Sequence, residues 1–191
     1  PFIAALGLES WVVRLPSALA GILLIPASYF FVLAWKKKST QIDIYLGLAT
    51  ALFVSFSPWS LRLSRVAYEA NLALLLATIG TTLLVKGLVA KKPWLIPVGT
   101  FFSLLTLLTY HTYQVFMPLL LLSLVVIFWK EVIQTLRTHR LSAGISVIVA
   151  AIFAGLLILG NTASANSTKF NGLSIFSEST YYYQLFDRRM S

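Results

Sequence analysis

Of the 191 residues, 58% are hydrophobic and 11% charged, and the mean hydropathy is +0.84. This excludes an ordinary soluble domain, in which about a quarter of residues are charged. There is no cysteine, so disulfides and thiolate metal sites are excluded as well, and the net charge of +9 has to be explained by where the basic residues fall.

Uncharged stretches cover 15–35, 44–61, 70–85, 93–129 and 141–168. Roughly 20 apolar residues cross a hydrocarbon core of about 30 Å. The fourth stretch is long enough for two spans, and its middle, Thr109-Tyr110-His111-Thr112-Tyr113-Gln114, is a polar break suited to a turn at the membrane surface. The expected fold is therefore an all-α, polytopic membrane bundle of about six helices, with spans near 15–35, 43–61, 68–86, 93–109, 113–130 and 142–160. The uncharged run 70–85 is the shortest and spans only if helix continues into its flanks, where Lys86 can snorkel. Residues 161–191 differ in character. Small polar residues from Asn161 to Ser167 lead into Phe170-Asn171-Gly172-Leu173-Ser174-Ile175-Phe176-Ser177 and a Tyr181-Tyr182-Tyr183 cluster, which reads as the start of an extracytoplasmic loop or domain. Asn166-Ser167-Thr168 matches a glycosylation acceptor, a tripeptide that is common by chance. No internal repeat stands out.

The charges sort by side. Lys36, Lys37, Lys38, Lys86, Lys91, Lys92, Lys130, Arg137 and Arg140 fall in alternate connections, and the opposite short connections carry Arg14, Arg62 and Arg65. The positive-inside rule makes the lysine connections cytoplasmic and puts 9–14, 62–69, 110–114 and the tail from Asn161 outside a plasma (inner) membrane. Anchoring to anionic lipid headgroups explains most of the net charge, and no nucleic-acid partner is needed. Because the sequence starts at Pro1 without an initiator methionine, and its first span enters from the outer side, at least one upstream helix is expected. His111 and His139 lie on opposite sides and cannot share a metal. No cluster of carboxylates and imidazoles demands one, although a divalent ion stays compatible with the chain.

Charge between membrane-length runs is costly and usually has a role. If residues 60–72 are helical, Arg62, Arg65 and Glu69 fall within roughly 60° of arc, and Arg65 and Glu69 are spaced to pair at i,i+4. Two readings are open. One is an interfacial ion pair that marks a helix start. The other is a polar pocket at the outer surface, where guanidinium groups fork onto phosphate oxygens and a carboxylate holds a hydroxyl-bearing partner. Ser57-Pro58-Trp59 ends the preceding span and sets an indole at the interface. Arg14, at the mouth of the first span, is a snorkelling anchor or a ligand, with Pro16 and Ser17 supplying a helix start. Tyr110 and Tyr113 fit an aromatic belt, and His111 between them is a belt residue, a proton carrier or a sugar contact.

The run Leu6-Gly7-Leu8-Glu9-Ser10-Trp11-Val12-Val13-Arg14-Leu15-Pro16-Ser17-Ala18-Leu19, followed by Leu63-Ser64-Arg65-Val66-Ala67-Tyr68-Glu69-Ala70-Asn71-Leu72, resembles the bacterial family 39 glycosyltransferases. These are polytopic enzymes related to the dolichyl-phosphate-mannose protein mannosyltransferases and the aminoarabinose transferases of lipid A. Tyr110-His111-Thr112-Tyr113-Gln114-Val115-Phe116-Met117-Pro118 and residues 170–177 also resemble segments of such proteins, so the likeness covers nearly the whole chain. It implies a GT-C fold with its active site at the outer membrane surface. It also implies a polyprenyl-phosphate sugar donor and inverting transfer to an extracytoplasmic protein, lipid or glycan acceptor. In that family the catalytic carboxylate lies in the first outer loop, which precedes Pro1 here, so the base is expected upstream and this stretch alone is expected to be inactive. Carried over by position, Arg65 and Arg14 are donor phosphate-binding candidates, Glu69 supports the acceptor or the base, and Tyr68, His111 and Arg62 are substrate-contact candidates. A lipid-linked sugar transporter or flippase, or a non-catalytic polytopic protein, is the alternative. A transporter calls for ionisable residues at the midplane or paired broken helices, whereas these charges lie at span ends.

Overall fold

The computed structural model describes residues 10–65 and 69–162, and these residues form helices without strands. In chain order the helices are α1 (Ser10–Ala34), α2 (Gln41–Phe56), α3 (Pro58–Arg65), α4 (Glu69–Val89), α5 (Leu95–Thr109), α6 (Tyr113–Ile127), α7 (Trp129–Thr138) and α8 (Arg140–Thr162). Tyr68, the Asn166 tripeptide and nearly all of the expected extracytoplasmic segment lie outside the described residues.

The surface of the bundle is as apolar as its interior. On α1 the buried residues Ser17, Ala20, Leu24 and Ser28 recur at helical spacing, while Ile22, Leu23 and Phe30 on the other face are more than half exposed. Phe53 and Phe56 on α2, and Val115, Leu119 and Val126 on α6, are likewise open. Helices that show large apolar side chains outward and close their backbone hydrogen bonds internally are built for hydrocarbon. Among the described residues three helices are long and apolar enough to cross a membrane, over Arg14–Ala34, Glu69–Val89 and Arg140–Leu159, and α6 with α7 makes a fourth candidate that is bent by 85°. The described part of the chain is thus an all-helical, polytopic membrane bundle. At 16 and 15 residues, α2 and α5 are apolar but shorter, rising about 24 and 22 Å.

Two of the uncharged stretches are interrupted in ways that charge alone does not reveal. Residues 44–61 are carried by α2 and α3, which part at Ser57, held extended at φ −61° and ψ 121°. Pro58 enforces this, because its ring disfavours helical geometry in the residue before it. Near the end of the 93–129 stretch the chain swings between α6 and α7 at Phe128, whose ring packs 5.7 Å from that of Trp35.

The contacts divide the chain into two compact units, Pro1–Ala151 and Ile152–Ser191. In the second, the described residues are the final turns of α8, with Phe153 buried and Ile158 and Leu159 exposed. The first unit is organised around α4, which packs on α1, α3, α5, α6 and α7. Its tightest partner is α5. A β-carbon at Gly80 would sit 2.6 Å from the Ser103 amide nitrogen, and one at Gly99 would sit 2.8 Å from the Leu84 amide nitrogen. Further along α4, Gly87 faces Ile96 at 2.8 Å. Contacts that rise along α4 as they fall along α5 define an antiparallel pair, its backbones brought together by glycine as lipid-embedded helices require.

By contrast, α1 and α4 run in the same direction. Asn71 meets Ser17, Leu75 clusters with Ala20 and Leu24, and Leu84 and Val85 cluster with Ala34. Parallel neighbours need a return strand of chain between them. Here it is α2, which lies antiparallel against α1 with Gly47 on Tyr29 and Val54 on the Ala20 and Leu24 cluster.

Substituting Gly80→Leu forces α4 and α5 apart. It is expected to cost about 1–3 kcal/mol, read as a lower unfolding midpoint in detergent. A β-carbon at Gly144 would meet nothing within 4 Å, so Gly144→Ala is expected to be neutral or stabilising by up to about 1 kcal/mol in the same assay.

Candidate functional site

The directions of α1, α2, α4 and α5 put the charged residues at two opposite ends of the first unit. At one end are Lys36, Lys37, Lys38, Lys91 and Lys92, all exposed, with Lys86 in the last turn of α4. Cations suit that last turn, where carbonyl groups lack helical partners. The start of α2 is anchored here by a capping box of the kind the Thr40-x-x-Asp43 spacing encodes. The Thr40 amide donates to Asp43 Oδ2 at 2.8 Å, and the Asp43 amide donates to Thr40 Oγ1. Lys36 Nζ lies 2.7 Å from Asp43 Oδ1. The Lys36 ammonium first, and then the Thr40 hydroxyl and amide, hold the Asp43 carboxyl down to about 2.

The other end gathers the sequence candidates. Arg14 is exposed in the first turns of α1, Arg62 is exposed on α3, which packs against α1 and α4, and Glu69 is exposed as the first residue of α4. The antiparallel course of α5 brings the 110–113 turn to the same end. Among the described residues, Arg14, Arg62 and Glu69 make no ion pair or hydrogen bond through their side chains, so their charges do not cancel one another. Arg65 ends α3 and Glu69 begins α4. The side chain of Arg65 and residues 66–68 fall outside the described residues, so the i,i+4 pairing expected of Arg65 and Glu69 does too.

His111 sits exposed on the turn between α5 and α6, its Nδ1 3.2 Å from Gln114 Oε1. Gln114 Nε2 in turn donates to the Leu107 carbonyl at 3.4 Å, which ties the turn back to the end of α5. The Tyr113 ring stacks edgewise on Phe116 at 5.7 Å and meets Tyr110 at 6.4 Å. His111 lies at the opposite end from His139, which lines a recess together with Lys91 and Glu131. Among the described residues no three histidine, aspartate or glutamate side chains converge into a metal-sized group.

One residue that matters here carries no charge. Asn71 is fully buried, and its Nδ2 donates to the Ser17 carbonyl at 2.7 Å. Its Oδ1 is buried without a hydrogen-bond partner among the described residues. This bond ties the second residue after Glu69 to the turn just after Arg14, so it sets the spacing of those two charges. The signal in the sequence is an amide in an otherwise apolar helix start, and it is easily overshadowed by the ionic pair beside it.

Comparison with protein-family models, curated proteins and solved structures returns no match to this chain.

Asn71→Ala is expected to lower stability by about 1 kcal/mol, measured as a drop in the unfolding midpoint in detergent. A depressed carboxyl pKa stabilises the fold above the unfolded value of about 4 and ceases to do so as pH falls through the folded value. The gap in unfolding midpoint between the natural chain and Asp43→Asn is therefore expected to be constant above pH ~4 and to close between pH ~4 and ~2.

Proposed function

We propose that this chain is the membrane domain of a GT-C glycosyltransferase of the family 39 kind, one that moves a sugar from a polyprenyl-phosphate donor to an extracytoplasmic acceptor with inversion. In this reading α1, α2, α4, α5, α6 and α8 are six spans and the lysine end is cytoplasmic. The observation that carries the proposal is the charge distribution: the lysines anchor one end, and Arg14, Arg62 and Glu69 stand mutually unneutralised at the other, with the His111 turn beside them. A structural anchor needs no carboxylate among its arginines, whereas a site that binds a phosphate and a hydroxyl at once needs both signs.

The chemistry assigns the roles. An acceptor hydroxyl attacks the anomeric carbon from the face opposite the phosphate, the new carbon–oxygen bond forms as the bond to the phosphate oxygen breaks, and the hydroxyl proton passes to a carboxylate. Arg65 receives the charge that develops on the departing lipid phosphate, and Arg14 supports the pocket. Glu69 orients the acceptor or supports the base, and Arg62, Tyr68 and His111 contact substrate. A transporter of lipid-linked sugars would place its ionisable groups at mid-depth, whereas these stand at helix ends.

The test uses the full-length protein in membranes with a radiolabelled polyprenyl-phosphate sugar, scored by label appearing in acceptor. Glu69→Gln and Arg65→Ala are expected to reduce transfer about 100-fold with insertion unchanged. Full transfer by both variants would remove them from the site, and movement of labelled lipid across the bilayer without acceptor labelling would establish transport instead.

A further inference from the structure

The lysine end contains a feature that sugar transfer does not use. Between α4, α5, α6, α7 and α8 lies a cavity of about 290 Å³, bounded by Leu84 and Leu88, Ile96, Leu124, Val132 and Leu136, and Val147. It has almost no polar surface, so water has no partners there, yet its volume is roughly ten times that of a liquid water molecule. Leu136 and Val147 on its wall are also about half or more exposed, so it opens sideways, toward the surface that the bundle shows to the bilayer. Adjoining it, with Leu88 and Thr135 shared between the two, is a recess of about 90 Å³ where Lys91, Glu131, Gln134, Thr138 and His139 join Gly87 and Pro93 in the wall, so it carries polar groups that the larger cavity lacks.

We propose that this paired cavity holds one anionic phospholipid, its acyl chain in the apolar part and its headgroup phosphate at Lys91 in the recess. A hydrocarbon chain is the one filling that regains the dispersion contacts of an otherwise empty apolar wall. The junction of the two chambers needs a ligand that turns polar at one end. The charge decides the headgroup. In the recess Lys91 stands with Glu131, and the connections at this end also carry Lys92, Lys130, Arg137 and Arg140, all exposed, a surplus of cations of the kind that holds anionic headgroups beside membrane helices. The 85° turn at Phe128 makes the arrangement possible, because it lays α7 across the helix ends so that Val132 and Leu136 roof the chain while Gln134 and Thr138 border the headgroup. Lys91 is held at φ 54°, the left-handed region, which fixes the loop that carries it.

Native mass spectrometry of the purified protein in a non-ionic detergent, titrated with dioleoyl phosphatidylglycerol or dioleoyl phosphatidylcholine, tests this. One phosphatidylglycerol is expected to be retained per chain, at least about fivefold more tightly than phosphatidylcholine. Lys91→Asn keeps a residue suited to positive φ and removes the charge, and is expected to abolish that preference. Ala143→Leu with Ser146→Leu fills the cavity and is expected to eliminate retention of both lipids. Equal retention of the two lipids by the natural chain, retention of neither, or a preference unchanged in Lys91→Asn would overturn the proposal. So would undiminished binding in the filled variant. Should the filled variant not fold, Lys91→Asn, an exposed loop substitution, decides alone.

Discussion

The parallel packing of α1 on α4 is the constraint from which the rest of the bundle follows. Two neighbouring helices that run the same way oblige the chain to cross back between them, and α2 does so along the far side of α1. Once that crossing is made, every connection is committed to one of two ends. The contact is held by apolar side chains, two of them alanines, and one buried amide: Ala20, Leu24 and Leu75 in the middle, Ala34 against Val85 at the lysine end, and Asn71 on the Ser17 carbonyl at the other. In hydrocarbon, where apolar surfaces gain little by meeting each other, such close contacts and a single directional bond are what distinguish one packing from another.

The charged groups take their meaning from that arrangement. A lysine in a connection is free to snorkel whichever way the helices run, but Arg14, Arg62 and Glu69 come from three different helices and share an end only because α1 and α4 are parallel and α3 bridges them. The separation of Arg14 and Glu69 is therefore a property of the core. It is fixed by a residue, Asn71, that carries no charge and faces no solvent.

Much of this is legible in the sequence, for reasons that also mark where legibility stops. Helices occupy the uncharged runs because length and apolarity leave lipid-embedded backbone no other way to satisfy its polar groups. The sidedness of the basic residues can be read because charge is confined to connections. Direction cannot: the charges that begin at Lys130 mark where the apolar run ends, but they do not say that the chain turns through 85° at Phe128 and stays helical beyond it. The break at Ser57 is partly readable, from the proline after it. Thr40-x-x-Asp43 is a recognisable capping pattern that the lysines beside it obscure. At the candidate site, residue types and the shared end follow from sequence. The mutual geometry of Arg65, Tyr68 and Glu69 depends on residues 66–68, where helical periodicity is an assumption and not an observation.

The shortness of α2 and α5 bears on the surrounding membrane. Their apolar heights of about 24 and 22 Å fall short of the roughly 30 Å of hydrocarbon that the neighbouring α1 and α4 can cross. If α2 and α5 cross the membrane, lipids beside them have to compress or the helices' flanks have to reach outward, at a cost of fractions of a kcal/mol per Å of mismatch. In that case phosphate headgroups would lie deeper along those two helices than along α1 and α4.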